Sequence, residues 1–125
     1  MDRIALRRTF GRFATGVTIV SCERDGQVHG MTANSFTSVS LEPALVLVSI
    51  DNRARMAELL RAGGDYGLNI LSSVQEGLSN HFAGKPGDEA IPFVRHGGVP
   101  LIEGAMAHLV CRVQDVWPAG DHSLF

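Results

Sequence analysis

A succession of short strand-like segments limits the fold of this chain more than any other feature of its sequence. Val17–Cys22 is rich in β-branched residues, Asp25-Gly26 is a turn signal, and Gln27–Thr32 is typical of the returning strand of a hairpin. Ala44–Ile50 is a continuous apolar run that predicts an interior strand, and Tyr66–Leu71 predicts another. Parallel βαβ alternation does not fit this order. We therefore expect a mainly β fold, a closed or split antiparallel barrel, because closure removes exposed edges.

Two or three short helices are predicted between these strands. The first shows roughly helical spacing of apolar residues at Ile4, Leu6, Phe10 and Phe13. The second would be capped by Asp51 or Asn52 and would end at Gly63-Gly64. Its inward residues would be Met56, Leu59 and Leu60.

The third helix is indicated by the capping-box spacing of Ser73-Val-Gln-Glu76. Val74, Leu78 and Phe82 then recur every four residues, which predicts that they share one buried face.

The last third of the chain predicts a loop, a long strand and a strand that begins at the final residues. Gly84–Gly98 is expected to be a loop, and loops of that length are often functional. Ala105–Trp117 alternates well enough for one long strand, Pro118–Asp121 predicts a turn, and His122–Phe125 predicts the start of a strand. On this interpretation only about five strands are complete by Trp117, which is few for a closed barrel.

Length and charge restrict the class of protein. A chain of 125 residues is expected to form a single domain, residues 1–125. The formal net charge of -2, with mixed signs, gives no basic footprint, so nucleic acid is not an expected partner. The charged N-terminus and the lack of a long apolar run predict no membrane segment and a cytoplasmic protein. Cys22 and Cys111 are expected to be free buried thiols.

One segment, Gly30–Pro43, concentrates small polar side chains. Six of the nine residues from Thr32 to Ser40 carry a short hydroxyl or amide, and none carries a charge. Hydroxyls, one amide and backbone N–H groups can together bind a polar, partly anionic ligand without a metal or a lysine. The alternative is a Ser/Thr-rich loop or sheet edge whose hydroxyls bond to their own backbone. Composition alone leaves both interpretations open.

The amino-acid sequence of this segment resembles the signature of the flavin reductase family, the FMN-binding split-barrel proteins. The matching stretch is Gly-Met-Thr-Ala-Asn-Ser-Phe-Thr-Ser-Val-Ser-Leu-Glu-Pro from Gly30 to Pro43. Four shorter matches fall in the family's order: Phe13–Val20, Gly67–Leu71, Phe82–Gly84 and Gly120-Asp-His122. The resemblance covers about Leu6 to Phe125.

The resemblance implies a split β-barrel and an NAD(P)H-dependent flavin oxidoreductase that reduces FMN or FAD. It also implies a homodimer and a partner flavin-dependent monooxygenase that receives the reduced flavin. The family normally continues beyond the Gly-Asp-His motif with further barrel strands, so these C-terminal strands are expected to be missing here. The chain is then expected to be a fragment or a shortened protein that relies on a partner subunit.

The resemblance also assigns site residues. The flavin ring and ribityl chain would contact the signature segment, and the flavin phosphate would lie near Ser49 and the residues after it. The cofactor-binding residues implied are Thr32, Ala33, Asn34, Ser35, Ser38, Val39, Ser40, Ser49, Asp51, Asn52, Arg53, Arg55 and Phe82. His122 would lie beside the nicotinamide of NAD(P)H and is the catalytic candidate; no metal is expected. For Arg53 and Arg55 a solvated helix face is an equally weighted alternative.

The residues themselves carry no other catalytic pattern. There is no nucleophile elbow, no His-Glu-x-x-His, no Walker loop and no Gly-x-Gly-x-x-Gly. A polar binding segment without such a constellation suits an enzyme whose cofactor supplies the chemistry. A non-catalytic flavin-binding protein or an inactive truncated form is the alternative. Pyridoxamine-phosphate oxidase-like proteins share the split barrel, but the wording of Gly30–Pro43 argues against that branch.

Overall fold

The computed structural model describes residues 1–84 and 90–125, and within them the protein is mainly β with three short α-helices. The helices are α1 (Arg3–Phe10), α2 (Arg55–Arg61) and α3 (Glu76–Phe82), the last preceded by a 3₁₀ turn at Ser73–Gln75. The strands are β1 (Thr18–Arg24), β2 (Gln27–Ala33), β3 (Thr37–Leu41), β4 (Ala44–Leu47), β5 (Ser49–Asp51), β6 (Asp65–Ile70), β7 (Phe93–His96), β8 (Val99–Ile102), β9 (Ala107–Arg112), β10 (Trp117–Ala119) and β11 (His122–Leu124).

Antiparallel pairing joins these strands into four small sheets. The largest has the order β2-β1-β6-β9, and a second has the order β10-β11-β5. The hairpins β3-β4 and β7-β8 form the other two. The predicted β1–β2 hairpin is confirmed, and its turn places Asp25 at φ 53° and Gly26 at φ 76°. An Asp-Gly pair suits two successive residues with positive φ, because glycine meets no Cβ penalty there.

The core lies on both faces of β1, where the five successive residues Thr18–Cys22 are all buried, including the polar Thr18 and Ser21. Val20 and Cys22 face a cluster that includes residues of α2, β5 and β6, together with Phe125. Ile19 faces the opposite side and packs with Leu71 and Ile102. Strand β8 covers this second face, where the Ser21 hydroxyl donates to the Pro100 carbonyl at 2.6 Å.

The predicted interior strand Ala44–Ile50 is wrong as a single element. The chain leaves the β3–β4 hairpin at Leu47 and joins β11 and β10 through β5. Val48, between the two strands, exchanges backbone hydrogen bonds with Phe125 at 2.9 and 3.0 Å. Val48 and Ile50 are fully buried, as expected, whereas Ala44 is exposed. An apolar run reveals burial but not a change of sheet.

The three helices are confirmed, with corrections to their ends and faces. Met56, Leu59 and Leu60 of α2 are buried as predicted, but its N-cap is Ala54 rather than Asp51 or Asn52. The capping box is formed by Ser72 and Gln75, one residue earlier than the predicted Ser73 and Glu76. The backbone N–H of Ser72 donates to the Gln75 side chain at 2.9 Å.

Two predicted apolar faces are only partly buried. Leu78 and Phe82 pack against the second core cluster, but Val74 is exposed. On α1, Ile4 and Phe10 are exposed, as is Phe13 just after the helix. Asp2 caps this helix by accepting from the Ile4 and Ala5 amides.

The C-terminal third contains more strands than predicted. Part of the expected loop Gly84–Gly98 is strand β7, while residues 85–89 lie outside the described part of the chain. The expected long strand Ala105–Trp117 is divided into β9 and the first residue of β10. Nine strands are therefore complete before Trp117 among the described residues, and the expectation of about five is wrong. In those residues no helix is long and apolar enough to cross a membrane.

Candidate functional site

The signature segment runs along the end of β2, a three-residue connection and β3. Ala33 is buried and its carbonyl accepts from the Thr18 hydroxyl at 2.7 Å. Asn34 and Ser38 are exposed, and neither side chain makes a hydrogen bond within the described chain. At Val39 the register of β3 against β4 shifts, and this side chain is 54% exposed. The segment therefore presents polar donors and acceptors to the surface.

Two hydroxyls of the segment are instead engaged by the protein. Ser35 Oγ donates to the Ser49 carbonyl at 2.7 Å and accepts from the Ser49 amide at 3.1 Å. Thr32 Oγ1 donates to the Ser79 carbonyl of α3 at 2.6 Å. The first of these contacts fixes the connection between β2 and β3 to the start of β5.

Gly30 and Phe82 are in unusually close contact. A Cβ on Gly30 would lie 2.5 Å from a carbon of the Phe82 ring, closer than real Cβ contacts allow. The ring therefore packs on bare backbone of β2, and a side chain at position 30 would have to displace the ring. Thr32 of the same strand bonds to α3, which carries Phe82.

The end of β5 and the residues after it carry the side chains that are predicted to bind the flavin phosphate. The Arg53 guanidinium makes a two-bond pair with the Asp51 carboxylate, Nη2–Oδ2 at 2.8 Å and Nε–Oδ1 at 3.1 Å. The hydrogen bond from this side chain, with that from the Arg53 amide, holds the pKa of Asp51 well below its usual range. Arg53 is 85% exposed, and Arg55 is also exposed and pairs with Glu58 at 3.0 Å.

The Asp121–His122 pair lies directly opposite this segment. His122 of β11 is the cross-strand partner of Asp51 in β5. His122 Nδ1 lies 2.7 Å from Asp121 Oδ1, and this hydrogen bond lowers the pKa of the Asp121 carboxyl. A carboxylate can only accept, so Nδ1 carries a proton, and in the uncharged form of the imidazole Nε2 is an acceptor.

A third group of side chains surrounds this pair. Arg61 Nη2 donates to Asn52 Oδ1 at 2.6 Å and to Ser123 Oγ at 3.0 Å, and Ser123 Oγ donates to Asn52 Oδ1 at 2.6 Å. The backbone N–H of Asn52 also donates to the backbone carbonyl of Asp121 at 3.0 Å. The last residue of α2 is thereby joined to the turn that holds His122.

The structure brings some of the predicted residues together and leaves others apart. Ser35, Ser49, Asp51, Asn52, Arg53 and His122 form one connected polar region around β5. Arg55 and Phe82 lie outside this region. Arg55 bonds to Glu58, and the Phe82 ring packs against Gly30 of β2. Sequence reasoning missed Arg61, Asp121 and Ser123 as members of this region. A signal existed only for Asp121, within Gly120-Asp-His122.

Two cavities among the described residues lie beside this region rather than in it. The larger of these two, about 230 Å³, is lined by Val17, just before β1, and by residues from Leu71 to Ser79, none of them a predicted site residue. The smaller, about 170 Å³, includes Arg55 and Gly30. Asn34, Ser38 and Val39 of the signature segment are exposed and line neither of these cavities, so a flavin in contact with them would rest on an open surface of one chain.

The donor set of this open surface fits a flavin phosphate ester. Only two of the five N–H donors of the Arg53 side chain are used by Asp51, so three can reach an anion. The unengaged amide of Asn34 and hydroxyl of Ser38 provide neutral donors and acceptors for the polar edge of a flavin ring or a ribityl chain.

Comparison with known proteins gives one consistent result. The family model described as the flavin reductase like domain matches residues 10–125. An NADH-dependent flavin reductase from a Rhodococcus species is 55% identical over 123 residues, which span 95% of this chain and 70% of the relative. The reductase component of 4-hydroxyphenylacetate 3-monooxygenase from Thermus thermophilus is 36% identical, across 96% of this chain and 77% of its own length.

Solved structures agree with this result. The flavin reductase PheA2 in its native state superposes with a TM-score of 0.95 at 48% identity, covering 100% of this chain and 82% of its own. The predicted fold class, a mainly β protein of the split-barrel type with short helices, is confirmed.

Proposed function

This chain belongs to the flavin reductase like domain family and is an NAD(P)H:flavin oxidoreductase, and we propose that it uses NADH to reduce FMN or FAD for a partner monooxygenase. We further propose that residues 1–125 act as a single domain of this kind. The preference for NADH follows the Rhodococcus relative, and the oxygenase partner follows the Thermus relative.

One observation carries the proposal. Strand β5 is three residues long, and its first residue, Ser49, bonds to Ser35 of the signature segment. Its last residue, Asp51, lies opposite His122. The two parts of the predicted site are therefore held at the two ends of one strand, about 7 Å apart at 3.3 Å per residue. This spacing suits a flavin ring and a nicotinamide in contact with each other.

The signature segment and Arg53 would bind the flavin. The ring edge and ribityl chain are assigned to backbone and side-chain groups of the segment, and the phosphate to Arg53. The flavin, when bound, accepts a hydride. Backbone N–H groups of the signature segment would hold the ring and stabilise negative charge on it. Phe82, packed on Gly30, is assigned to an apolar edge of the same site.

His122 would orient the nicotinamide. The Asp121 carboxylate fixes the proton on Nδ1, so Nε2 can accept a hydrogen bond from the carboxamide of the nucleotide. The ring is 41% exposed and so is accessible to a ligand. Hydride transfer needs no proton from this ring, so its role is orientation, which contributes to rate by reducing the entropy lost in reaching the reactive geometry.

A homodimer is part of the proposal. Large apolar side chains are exposed along the β9–β10 region, among them Met106, Val110 and Trp117, the last at 61%. Strand β9 pairs only with β6 in the described chain and lies at the edge of its sheet. A second copy would cover this area, because apolar strand edges are seldom left open in monomers. Light scattering that finds only monomer would contradict it. The cytoplasmic location remains a prediction.

Anaerobic reduction of added flavin tests the proposed activity. The purified protein is mixed with FMN or FAD and then with NADH or NADPH, and the oxidised flavin band and the nucleotide band are followed together. We expect one molecule of nucleotide to be oxidised for each molecule of flavin reduced, and the reaction to be faster with NADH than with NADPH. Flavin fluorescence quenching without nucleotide oxidation would instead identify a non-catalytic flavin-binding protein. A heat-unfolded sample gives the uncatalysed rate.

A further inference from the structure

Arg61 is the most connected cation of the site region, and none of the motifs includes it. Its Nη2 atom donates to both Asn52 Oδ1 and Ser123 Oγ, at 2.6 and 3.0 Å. The two acceptors are themselves bonded, because Ser123 Oγ donates to Asn52 Oδ1 at 2.6 Å. Three side chains thus form a closed triangle, which we call the Arg61 triangle.

The Arg61 triangle joins three elements that are distant in sequence. Arg61 ends α2, Asn52 follows β5, and Ser123 is the middle residue of β11. Ser123 is only 4% exposed, so its hydroxyl is fixed in the protein rather than in solvent. The Asn52 amide then donates to the Asp121 carbonyl. Asp121 and His122 are thus held from both sides.

An arginine suits this place better than a lysine. The guanidinium carbon lies 5.9 Å from the centre of the Phe125 ring, within the range of a cation–π contact. The planar group can lie on the ring and still direct N–H bonds at two acceptors, whereas an ammonium group is a compact point charge. Phe125 is itself buried and pairs with Val48 through the backbone.

We propose that Arg61 is a positioning residue that fixes the Asp121–His122 turn and thereby sets the affinity for the pyridine nucleotide. This inference rests on the proposed function, because it acts through His122. It predicts that loss of the guanidinium loosens the turn while the buried core stays intact. The effect should then appear mainly in the KM for NADH rather than in kcat.

A general structural role is the competing explanation. Arg61 is also a basic residue in the last turn of α2, where a cation interacts favourably with the helix dipole. Loss of that interaction would lower the stability of the whole chain. It would not act selectively on residues 120–124 or on one substrate.

The test compares Arg61→Met with Arg61→Lys and with Arg95→Met as a matched control. Arg95 is an exposed arginine on β7, in another sheet, and it pairs with Glu23 of β1. Amide hydrogen exchange is measured on the ligand-free proteins, and KM and kcat for NADH are measured with saturating FMN.

For Arg61→Met we expect about tenfold faster exchange at residues 120–124 and about a tenfold higher KM for NADH, the size of one charge-assisted hydrogen bond. Exchange in β1 and β6 should be unchanged. Arg61→Lys should recover part of both effects, and Arg95→Met should change neither more than twofold. Ser123→Ala should give a similar effect, and the double variant Arg61→Met/Ser123→Ala little more than either alone.

Two results would overturn the inference. One is unchanged exchange and unchanged KM in Arg61→Met, and the other is faster exchange in every element to the same extent. If the wild-type protein oxidises no NADH, the proposed function fails, but the exchange measurement still decides whether Arg61 holds the turn.

Discussion

Asn69 and His122 are the centres of two polar clusters that differ in how their hydrogen-bonding groups are used. Asn69 is fully buried in β6, and its amide donates to the Ile19 carbonyl at 2.8 Å and to Ser21 Oγ at 2.9 Å. Its oxygen accepts from the Ile102 amide at 2.7 Å. His122 is half-exposed, and only its Nδ1 bonds to Asp121.

This difference separates structure from function more clearly than residue type does. The Asn69 cluster uses its donors and acceptors inside the chain, joining β1, β6 and β8, so nothing is left for a ligand. The His122 cluster is fixed at one side and open at the other. A polar group that the fold holds in place but leaves accessible is suited to recognition.

The largest effect is expected when the buried Asn69 cluster is removed. Asn69→Ala would leave the Ile102 amide and the Ile19 carbonyl without the partners they have now, so we expect a loss of about 4 kcal/mol in the free energy of unfolding. Denaturant unfolding measures it. Activity per folded molecule should stay near the wild-type value. A loss below about 1 kcal/mol would mean that Asn69 is not structural in the sense argued.

The opposite result is expected at His122. His122→Ala should lower kcat/KM for NADH on the order of 100-fold, because the nucleotide loses its orienting contact. The Tm should change by less than about 3 °C, since the ring is half-exposed. Steady-state kinetics and thermal unfolding measure the two effects. His96→Ala, an exposed histidine in the β7–β8 hairpin, is the matched control. Equal kinetic losses in both variants would refute a specific role.

A smaller effect is expected at the phosphate end of the open region. Arg53→Gln should weaken FMN binding about tenfold, the size of one charge-assisted hydrogen bond, and leave riboflavin binding unchanged. Fluorescence quenching measures both ligands. Arg55→Gln is the companion variant, because Arg55 was an equal candidate from the sequence. If only Arg55→Gln discriminates FMN from riboflavin, the phosphate lies nearer α2 than proposed.

The smallest effect concerns pH. Bonding to Arg53 lowers the pKa of Asp51 in the folded protein. Its stabilising contribution is therefore present above the unfolded pKa, about 3.9, and is lost as the pH falls further toward the folded value. Compared with Asp51→Asn, the wild-type protein should have a slightly higher Tm at pH 6, and the difference should shrink below about pH 4. A constant difference would show that this charge is irrelevant to stability.

The sequence predicted the fold best where local chemistry and burial agree. Asp25-Gly26 set the β1–β2 hairpin, and the spacing of Met56, Leu59 and Leu60 set the buried face of α2. It failed at Ala44–Ile50, because an apolar run cannot show that successive residues pair with different strands. It also failed at Phe93–His96, because the sequence of Gly84–Gly98 predicts a loop, whereas Gly97-Gly98 forms the turn of the β7–β8 hairpin.

The site was predictable only as far as its motifs extend. The resemblance placed Ser35, Asp51 and His122 in one site, and the structure joins them through β5. Arg61 contacts Ser123 across 62 positions of sequence, and no periodicity or spacing encodes such a contact. Contacts of this kind depend on the tertiary fold, here on the β10–β11 hairpin lying beside α2.

The close packing of Gly30 and Phe82 has a consequence for how this protein can evolve. Since the ring occupies the volume that a Cβ at position 30 would need, the two positions are not independent. An alanine at position 30 would have to displace the Phe82 ring, and a smaller side chain at position 82 would remove that conflict. Natural variants and directed libraries should therefore change the two positions together.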